Sequence, residues 1–123
     1  MTETIFLFAL ILKHAFADIF LQTYIKYPYS KNQYIGNGHR HYAHHGIANF
    51  IICLFFVSPI WALIYSLFDY VAHWHIDWAK TIFVKKISWS RQDNRFWRLQ
   101  SLDQMLHYST GFLIVLHAHM FVL

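Results

Sequence analysis

Three long apolar stretches of this chain each contain one histidine and one aspartate four residues apart. The pairs are His14 and Asp18, His73 and Asp77, and Asp103 and His107. Residues i and i+4 of an α-helix lie on one face, one turn apart. Each stretch therefore predicts a helix with a single polar stripe. Because ionisable groups are costly in an apolar solvent unless they have partners, we expect the three stripes to face one another.

The composition predicts that much of the surface lies in lipid. Hydrophobic residues make up 57% of the 123 residues and charged residues 13%, whereas a soluble domain carries about 25% charged residues. A small domain buries a limited fraction of its surface, so this excess of apolar surface requires a solvent other than water. We expect one integral membrane domain over residues 1–123.

The apolar segments predict an all-α fold, a transmembrane four-helix bundle, since about 20 apolar residues cross a bilayer. The central division depends on Ser58-Pro59, because serine before proline is typical of a helix N-terminus. The alternative is three spans plus an interfacial helix, in which one Pro-kinked helix continues to about Tyr70. The four expected helices cover about 4–25, 40–57, 59–84 and 99–123.

The distribution of basic residues predicts the orientation. The expected loops at 26–40 and 85–98 contain most of the Lys and Arg of a chain with net charge +4. Basic loops favour the cytoplasmic side of a membrane. We therefore expect a multi-pass protein of the inner (cytoplasmic) membrane, with both long loops cytoplasmic and both termini outside. We interpret the positive charge as binding to lipid headgroups, with no nucleic acid as a partner.

The three carboxylates of the pairs fall at one depth in this topology. Asp18, Asp77 and Asp103 each lie within about one turn of a common level near the cytoplasmic ends of their helices. In each pair the imidazole is one turn deeper, and the order of the two residues reverses in the last helix, as antiparallel packing requires. The three-span topology would lose this agreement.

These residue types predict a metal site. Imidazole and carboxylate are ligands for a divalent metal, zinc or manganese first and iron as a third option. Four-helix bundles build such sites from inward-facing side chains. The number of ligands suits one or two ions. The alternatives are a proton relay without metal and hydrogen-bonded pairs that only join helices. The predicted ligands are His14, Asp18, His41, His45, His73, Asp77, Asp103 and His107.

Two further residues extend the stripes. Gln22 lies one turn beyond Asp18 and could orient a ligand. Lys80 lies three residues beyond Asp77, where it could bind a phosphate, or equally extend towards the headgroups. The leading hypothesis is a metal-dependent hydrolase of a lipid or lipid-linked phosphate ester at the cytoplasmic face, with Asp18 or Asp103 accepting a proton and Lys80 binding the phosphate. The alternatives are a non-catalytic phage or mobile-element protein that metal holds together, and a metal or proton transporter.

Three motifs together resemble an uncharacterised family of small bacterial and phage integral membrane proteins. They are H-x-x-x-D-x-x-L-Q at 14–22, H-x-x-x-D-x-x-K at 73–80 and D-Q-x-x-H at 103–107. The resemblance implies a membrane fold but no established activity. The family often has H-x-x-x-H at the start of the second helix. Here Asn49 replaces the second histidine after His45, and His41 could compensate.

The segment from His41 to His45 supports two other resemblances. Its H-x-x-H-H pattern resembles the histidine boxes of membrane fatty-acid hydroxylases and desaturases, which implies a di-iron enzyme as a further alternative, although this chain has one such box. His44-His45-Gly46 is weakly similar to bacterial membrane-bound metal-dependent hydrolases. The expected partners are membrane lipid, a lipid-linked phosphate substrate and a second copy of the chain in a homo-oligomer.

Overall fold

The computed structural model describes residues 1–21, 34–36, 38–88 and 90–123, and no β-strand occurs among them. The all-α prediction is confirmed. Helix α1 continues directly into a π-helical turn, Ala17–Leu21. The four α-helices are α1 (Thr2–Phe16), α2 (His39–Cys53), α3 (Pro59–Ile87) and α4 (Asn94–Phe121).

The central division falls where Ser58-Pro59 predicts it. Helix α2 ends at Cys53, and α3 begins at Pro59 and continues without interruption past Tyr70. The alternative of one Pro-kinked helix is therefore wrong. Ser58 occupies the N-cap position, but its side chain makes no capping hydrogen bond, so the fixed φ of the proline is the stronger helix-starting signal.

The loop expected at 85–98 is shorter in the structure. Helix α3 extends to Ile87 and is followed by Ser88 in the left-handed conformation, with φ 56°. Helix α4 starts at Asn94 because the Asp93 carboxylate accepts a hydrogen bond from the Arg95 backbone N–H at 2.8 Å, which satisfies one free donor of the first turn. Most of the loop expected at 26–40 lies outside the described residues, as does Gln22.

The helices pack as an antiparallel bundle, each against the next and α4 against α1. At one end Phe6 of α1 stacks on Phe56, just after α2, with ring centroids 4.4 Å apart. At the other end Lys80 of α3 lies 2.8 Å from Asp103 of α4. We name this second end the basic end. Its described cations are Arg40, Lys85, Lys86, Arg91, Arg95 and Arg98.

The bundle interior is apolar at one end and polar towards the other. A hydrophobic core lies near the end opposite the basic end; its buried members are Phe6, Leu10, Cys53, Ala62, Tyr65, Ile114, Val115 and Ala118. Polar side chains fill the other half. Among the described residues, twelve polar or charged side chains are buried and ten hydrophobic ones, so apolar burial inside the bundle cannot be what organises this half.

Helices α2 and α3 approach closely at Gly46. A Cβ at this position would lie 3.3 Å from Cβ of Tyr70 and 3.4 Å from the backbone oxygen of Ser66. The Ser66 hydroxyl donates a 2.6 Å hydrogen bond to the Gly46 carbonyl. The missing side chain therefore brings the first turns of α2 against α3, which places the histidines of α2 beside those of α3.

The outer surface of the bundle is apolar over most of its height. Phe8, Ile51, Leu67 and Phe112 are each more than half exposed. In segments 5–20, 41–57, 59–79 and 99–121, no Asp, Glu, Lys or Arg is exposed. By length and composition, one helical segment of the described chain, Thr2–Leu21, could cross a membrane.

Candidate metal centre

All four helices contribute to one buried polar cluster next to the basic end. The structure brings together the eight side chains that the sequence predicts as metal ligands. We name these residues the His/Asp cluster. Its members are His14 and Asp18 of the first helical segment, His41 and His45 of α2, His73 and Asp77 of α3, and Asp103 and His107 of α4.

Asp18 forms one half of the His/Asp cluster. Its carboxylate lies 3.2 Å from Nε2 of His14, 3.3 Å from Nε2 of His41 and 3.1 Å from Nε2 of His45. The residue belongs to the π-helical turn that follows α1. Such turns alter the direction of a side chain relative to a regular helix and are frequent at functional sites. The turn thus places Asp18 beside the first turn of α2.

Asp77 forms the other half with histidines of three helices. Its carboxylate oxygens lie 3.3 Å from Nε2 of His107, 3.6 Å from that of His73 and 3.8 Å from that of His41. Asp103 adds a second carboxylate 3.6 Å from Nε2 of His107. Each histidine of the cluster therefore directs Nε2 towards the carboxylates, which is the orientation of a ligand set.

The imidazoles connect the two halves. The rings of His45 and His73 stack with centroids 3.8 Å apart, and those of His73 and His107 lie 4.1 Å apart. Ligand atoms within 4.8 Å of one another form three overlapping groups. These groups are Asp18, His41, His45 and His73; His14, His73 and His107; and Asp77, Asp103 and His107. The arrangement offers room for more than one ion.

Several buried polar atoms in and beside the cluster have no hydrogen-bond partner. Nε2 of His14 and Oδ1 of Asp103 are two of them, and Nδ1 of His45 and Oδ1 of Asn49 are two more. Such a buried atom costs about 1–3 kcal/mol. Nε2 of His41 and Nε2 of His73 also meet at 3.1 Å, where two lone pairs would repel unless a proton or a cation lies between them. The residues therefore fit a metal ion.

The charges in the cluster point the same way. Three carboxylates belong to it, and Lys80 is the cation that contacts it among the described residues, through Asp103 at 2.8 Å. With neutral imidazoles, two negative charges remain uncompensated. One divalent ion neutralises them, and a second ion would require an anionic bridge or substrate. These buried His/Asp groups could hold a metal ion; the metal's identity stays a prediction.

Two openings give access to the cluster. The side chain of Asp18 is 23% exposed, and that of Lys80 is 21% exposed. Lys80 also donates a hydrogen bond to Oε1 of Gln100 at 3.3 Å. Its ammonium therefore points at the margin of the cluster, which favours the phosphate-binding interpretation over extension towards the headgroups.

A buried ion pair adjoins the cluster and was not predicted from the sequence. Nζ of Lys13 donates a 2.8 Å hydrogen bond to Asp69, and both side chains are less than one tenth exposed. Asp69 lies one turn before His73, so the stripe that predicts His73 and Asp77 also contains it. The missing signal was its partner, since Lys13 is adjacent in sequence to His14 and requires helix α1 to be placed against α3.

The other histidines with printed contacts lie outside the cluster. His75 is exposed and its Nδ1 donates to the Val71 carbonyl at 2.7 Å. His117 makes a 2.9 Å hydrogen bond with the Tyr65 hydroxyl at the opposite end of the bundle. His39 belongs to helix α2 rather than to a loop. The i, i+4 rule therefore separates the cluster from the remaining histidines.

Comparison with protein-family models, with curated proteins and with solved structures yields no match for this chain. The argument for function rests on the bundle and on the His/Asp cluster.

Proposed function

We propose that this chain is a multi-pass membrane protein of the cytoplasmic membrane. The supporting observation is the segregation of charge: residues 59–79 expose no Asp, Glu, Lys or Arg, although Asp69 and Asp77 are among them. These 21 residues extend about 31 Å, close to the roughly 30 Å hydrocarbon core of a bilayer. Mean hydropathy also counts the inward carboxylates and imidazoles, which lipid does not contact. This explains why helices other than Thr2–Leu21 fall short by composition.

The basic end faces the cytoplasm in this proposal. Lys85 and Lys86 end α3, and Arg91 and Arg95 lie at the start of the next segment, whereas the turn at 54–58 contains no charged residue. The positive-inside bias then gives the orientation. The His/Asp cluster lies at the headgroup side of the cytoplasmic leaflet.

Labelling of cysteines at the two ends tests this topology. Ser58→Cys and Ser90→Cys introduce thiols into turns at opposite ends, and both positions are exposed. The native Cys53 is buried and supplies the unlabelled background. A membrane-impermeant maleimide should label Ser58→Cys in intact bacterial cells, and Ser90→Cys only after permeabilisation. Equal labelling of both in intact cells would contradict the proposal.

We further propose that the His/Asp cluster binds zinc or manganese and that the protein is a metal-dependent hydrolase of a lipid or lipid-linked phosphate ester. The observation that carries this is a mixed imidazole and carboxylate set with two uncompensated negative charges and a lysine at its margin. A bound divalent ion lowers the pKa of a coordinated water and polarises a phosphoryl oxygen. The ligand set lacks the thiolates typical of dedicated electron-transfer sites.

The chain's own groups have separate tasks in this reaction. Asp18 is the more exposed carboxylate of the cluster and is positioned to accept a proton from an attacking water. Lys80 is positioned to neutralise the negative charge of the phosphate. Asp103 keeps the ammonium of Lys80 in place through their 2.8 Å contact, which leaves Asp18 as the better candidate for the base.

A second candidate function is a metal that stabilises the bundle without catalysis. The burial of seven cluster members favours it, because structural metal sites are closed and catalytic ones keep an open position. A transporter has less support: the apolar core between the cluster and the opposite end offers no continuous polar route among the described residues.

Elemental analysis of the detergent-purified protein tests metal binding. His73→Ala removes a ligand from the centre of the cluster, and His75→Ala removes an exposed histidine from the outer face of the same helix. We expect one or two equivalents of zinc or manganese in the wild type and in His75→Ala, and loss of metal in His73→Ala. Metal in neither protein, or equal metal in both variants, would refute the site. Two irons would favour the hydroxylase-like alternative.

Phosphate release from vesicles that contain phosphatidic acid or a polyprenyl phosphate tests catalysis. Asp18→Asn keeps the size of the side chain but removes the proton acceptor. We expect turnover by the metal-loaded wild type and a loss of about 100-fold or more in Asp18→Asn, the range of general-base contributions. A metal-loaded protein without turnover, whose melting temperature falls on metal removal, would favour the stabilising role instead.

A further inference from the structure

A groove between α3 and α4 runs along the outside of the bundle to the margin of the His/Asp cluster. Its volume is about 470 Å³, within the range of about 300–1,000 Å³ of ligand pockets. The walls are apolar, and the polar groups lie at one edge. The argument uses Ala79 and Phe83 of α3, Leu102 and Leu106 of α4, and Lys80 and Asp103 at the edge.

A second, smaller cavity continues this groove towards the basic end. It has a volume of about 300 Å³ and shares Lys80 and Leu99 with the first. Lys85 and Gln100 add polar groups to its wall. The two cavities together form a surface that is apolar in the depth of the bundle and cationic at the basic end. We name the pair of cavities the α3/α4 groove.

We propose that the α3/α4 groove binds one hydrocarbon chain of a membrane lipid whose anionic headgroup contacts Lys80 and Lys85. This inference rests on the proposed function and identifies its substrate as a lipid that reaches the cluster sideways from the bilayer. Charge complementarity supports a lipid: the lysines lie at headgroup depth, and the apolar walls lie where the acyl region would be.

A second copy of the chain fits this surface less well. Copies in one membrane share an orientation, so a symmetric contact through the α3/α4 groove would bring the lysines of both copies together. Like charges oppose such a contact. A lipid phosphate instead gives Lys85 a counter-ion and leaves the pair between Lys80 and Asp103 intact.

Binding of lipid to the metal-free protein tests this inference separately from catalysis. Native mass spectrometry in detergent would measure retention of phosphatidic acid and of diacylglycerol with the same chains. Ala79→Trp fills the groove from α3, and Leu102→Trp fills it from α4. Met105→Trp is the matched control, because Met105 is 64% exposed on α4 and does not line the groove.

We expect phosphatidic acid to bind the wild type and Met105→Trp alike, and to bind both groove variants about tenfold more weakly. Lys85→Gln should reduce the preference for phosphatidic acid over diacylglycerol. Unchanged helical circular dichroism and metal content would show that the groove variants are folded. Equal binding by Ala79→Trp, Leu102→Trp and the wild type would overturn the inference, and so would an equal loss in Met105→Trp.

Hydrolysis of a water-soluble phosphodiester separates failure of this inference from failure of the proposed function. A groove variant should lose activity on the lipid and keep it on bis-p-nitrophenyl phosphate. Lipid binding without any hydrolysis would retain the groove and refute the hydrolase. Equal loss on both substrates would refute the groove as the determinant of substrate class.

Discussion

The ion pair between Lys13 and Asp69 gives the sharpest test of how this interior is held together. Its charged atoms lie 2.8 Å apart, and the two side chains are 6% and 8% exposed. Two unit charges at this distance attract by about 6 kcal/mol at an effective dielectric constant of about 20, and the cost of removing both from water offsets most of that gain. The net contribution of the pair is therefore small, but the cost of separating its members is large.

Single and double substitutions should behave differently for this reason. Lys13→Met or Asp69→Leu leaves one buried charge without its partner, which costs about 3–5 kcal/mol. We expect the melting temperature of each single variant to fall by about 10–20 °C. The double variant Lys13→Met/Asp69→Leu contains no unpaired charge and should recover most of this loss.

The two single variants should also differ in metal binding. Lys13 and Asp69 line the same small cavity as His14 and His107 of the His/Asp cluster. Asp69→Leu leaves an ammonium there, which repels a cation, whereas Lys13→Met leaves a carboxylate, which does not. Metal affinity should therefore fall in Asp69→Leu and be maintained or increased in Lys13→Met.

Thermal unfolding followed by tryptophan fluorescence, with and without added zinc, measures both effects in one set of proteins. The reasoning is refuted if the single variants melt like the wild type. It is also refuted if the double variant is as unstable as the weaker single variant, because the loss would then come from packing rather than from an unpaired charge.

Three further predictions follow from particular contacts. Gly46→Val should lower stability by about 1–3 kcal/mol and reduce metal content, because its side chain would separate α2 from α3; Gly111→Ala, whose Cβ would make an ordinary 3.6 Å contact, should be neutral or stabilising in the same melting assay. The hydrogen bonds from Arg95 hold the pKa of the Asp93 carboxyl below its usual range, so the stabilisation by this cap is present above about pH 3.9 and is lost as the pH falls through the lower folded-state pKa; Asp93→Ala should therefore lower the melting temperature at pH 7 but not at strongly acidic pH. Acidification from pH 7 to 5 should release metal from the protein, since imidazole ligands bind metal only when deprotonated, and a metal content that is constant over this range would contradict histidine ligation.

The polar stripes of the helices could be predicted from the sequence because the i, i+4 rule is local. His14 and Asp18, or His73 and Asp77, need only their own helix to be neighbours. Their meeting at one level also follows from helix lengths and antiparallel order. The structure brings all of these side chains together, while their binding of metal stays a prediction.

Other features could not be predicted because they depend on contacts between helices or on small differences in backbone energy. Asp69 needed its partner Lys13 on another helix to be recognised as part of a buried pair. The π-helical turn at Ala17–Leu21 has no sequence signal that distinguishes it from a regular helix. The early start of α4 depends on the cap at Asp93, and the apolar pattern alone placed the start at 99.

The composition of the interior bears directly on the choice between a catalytic and a purely structural cluster. Well-packed apolar side chains of similar volume often stabilise a protein more than buried charges do, and the opposite half of the same bundle is packed in that way around Phe6 and Ile114. Helix association alone therefore does not require five imidazoles and three carboxylates. A closed metal staple would explain the ligands, but it would not explain why Asp18 and Lys80 remain partly exposed at the margin. Only a site that admits a reactant uses both the ligands and the openings.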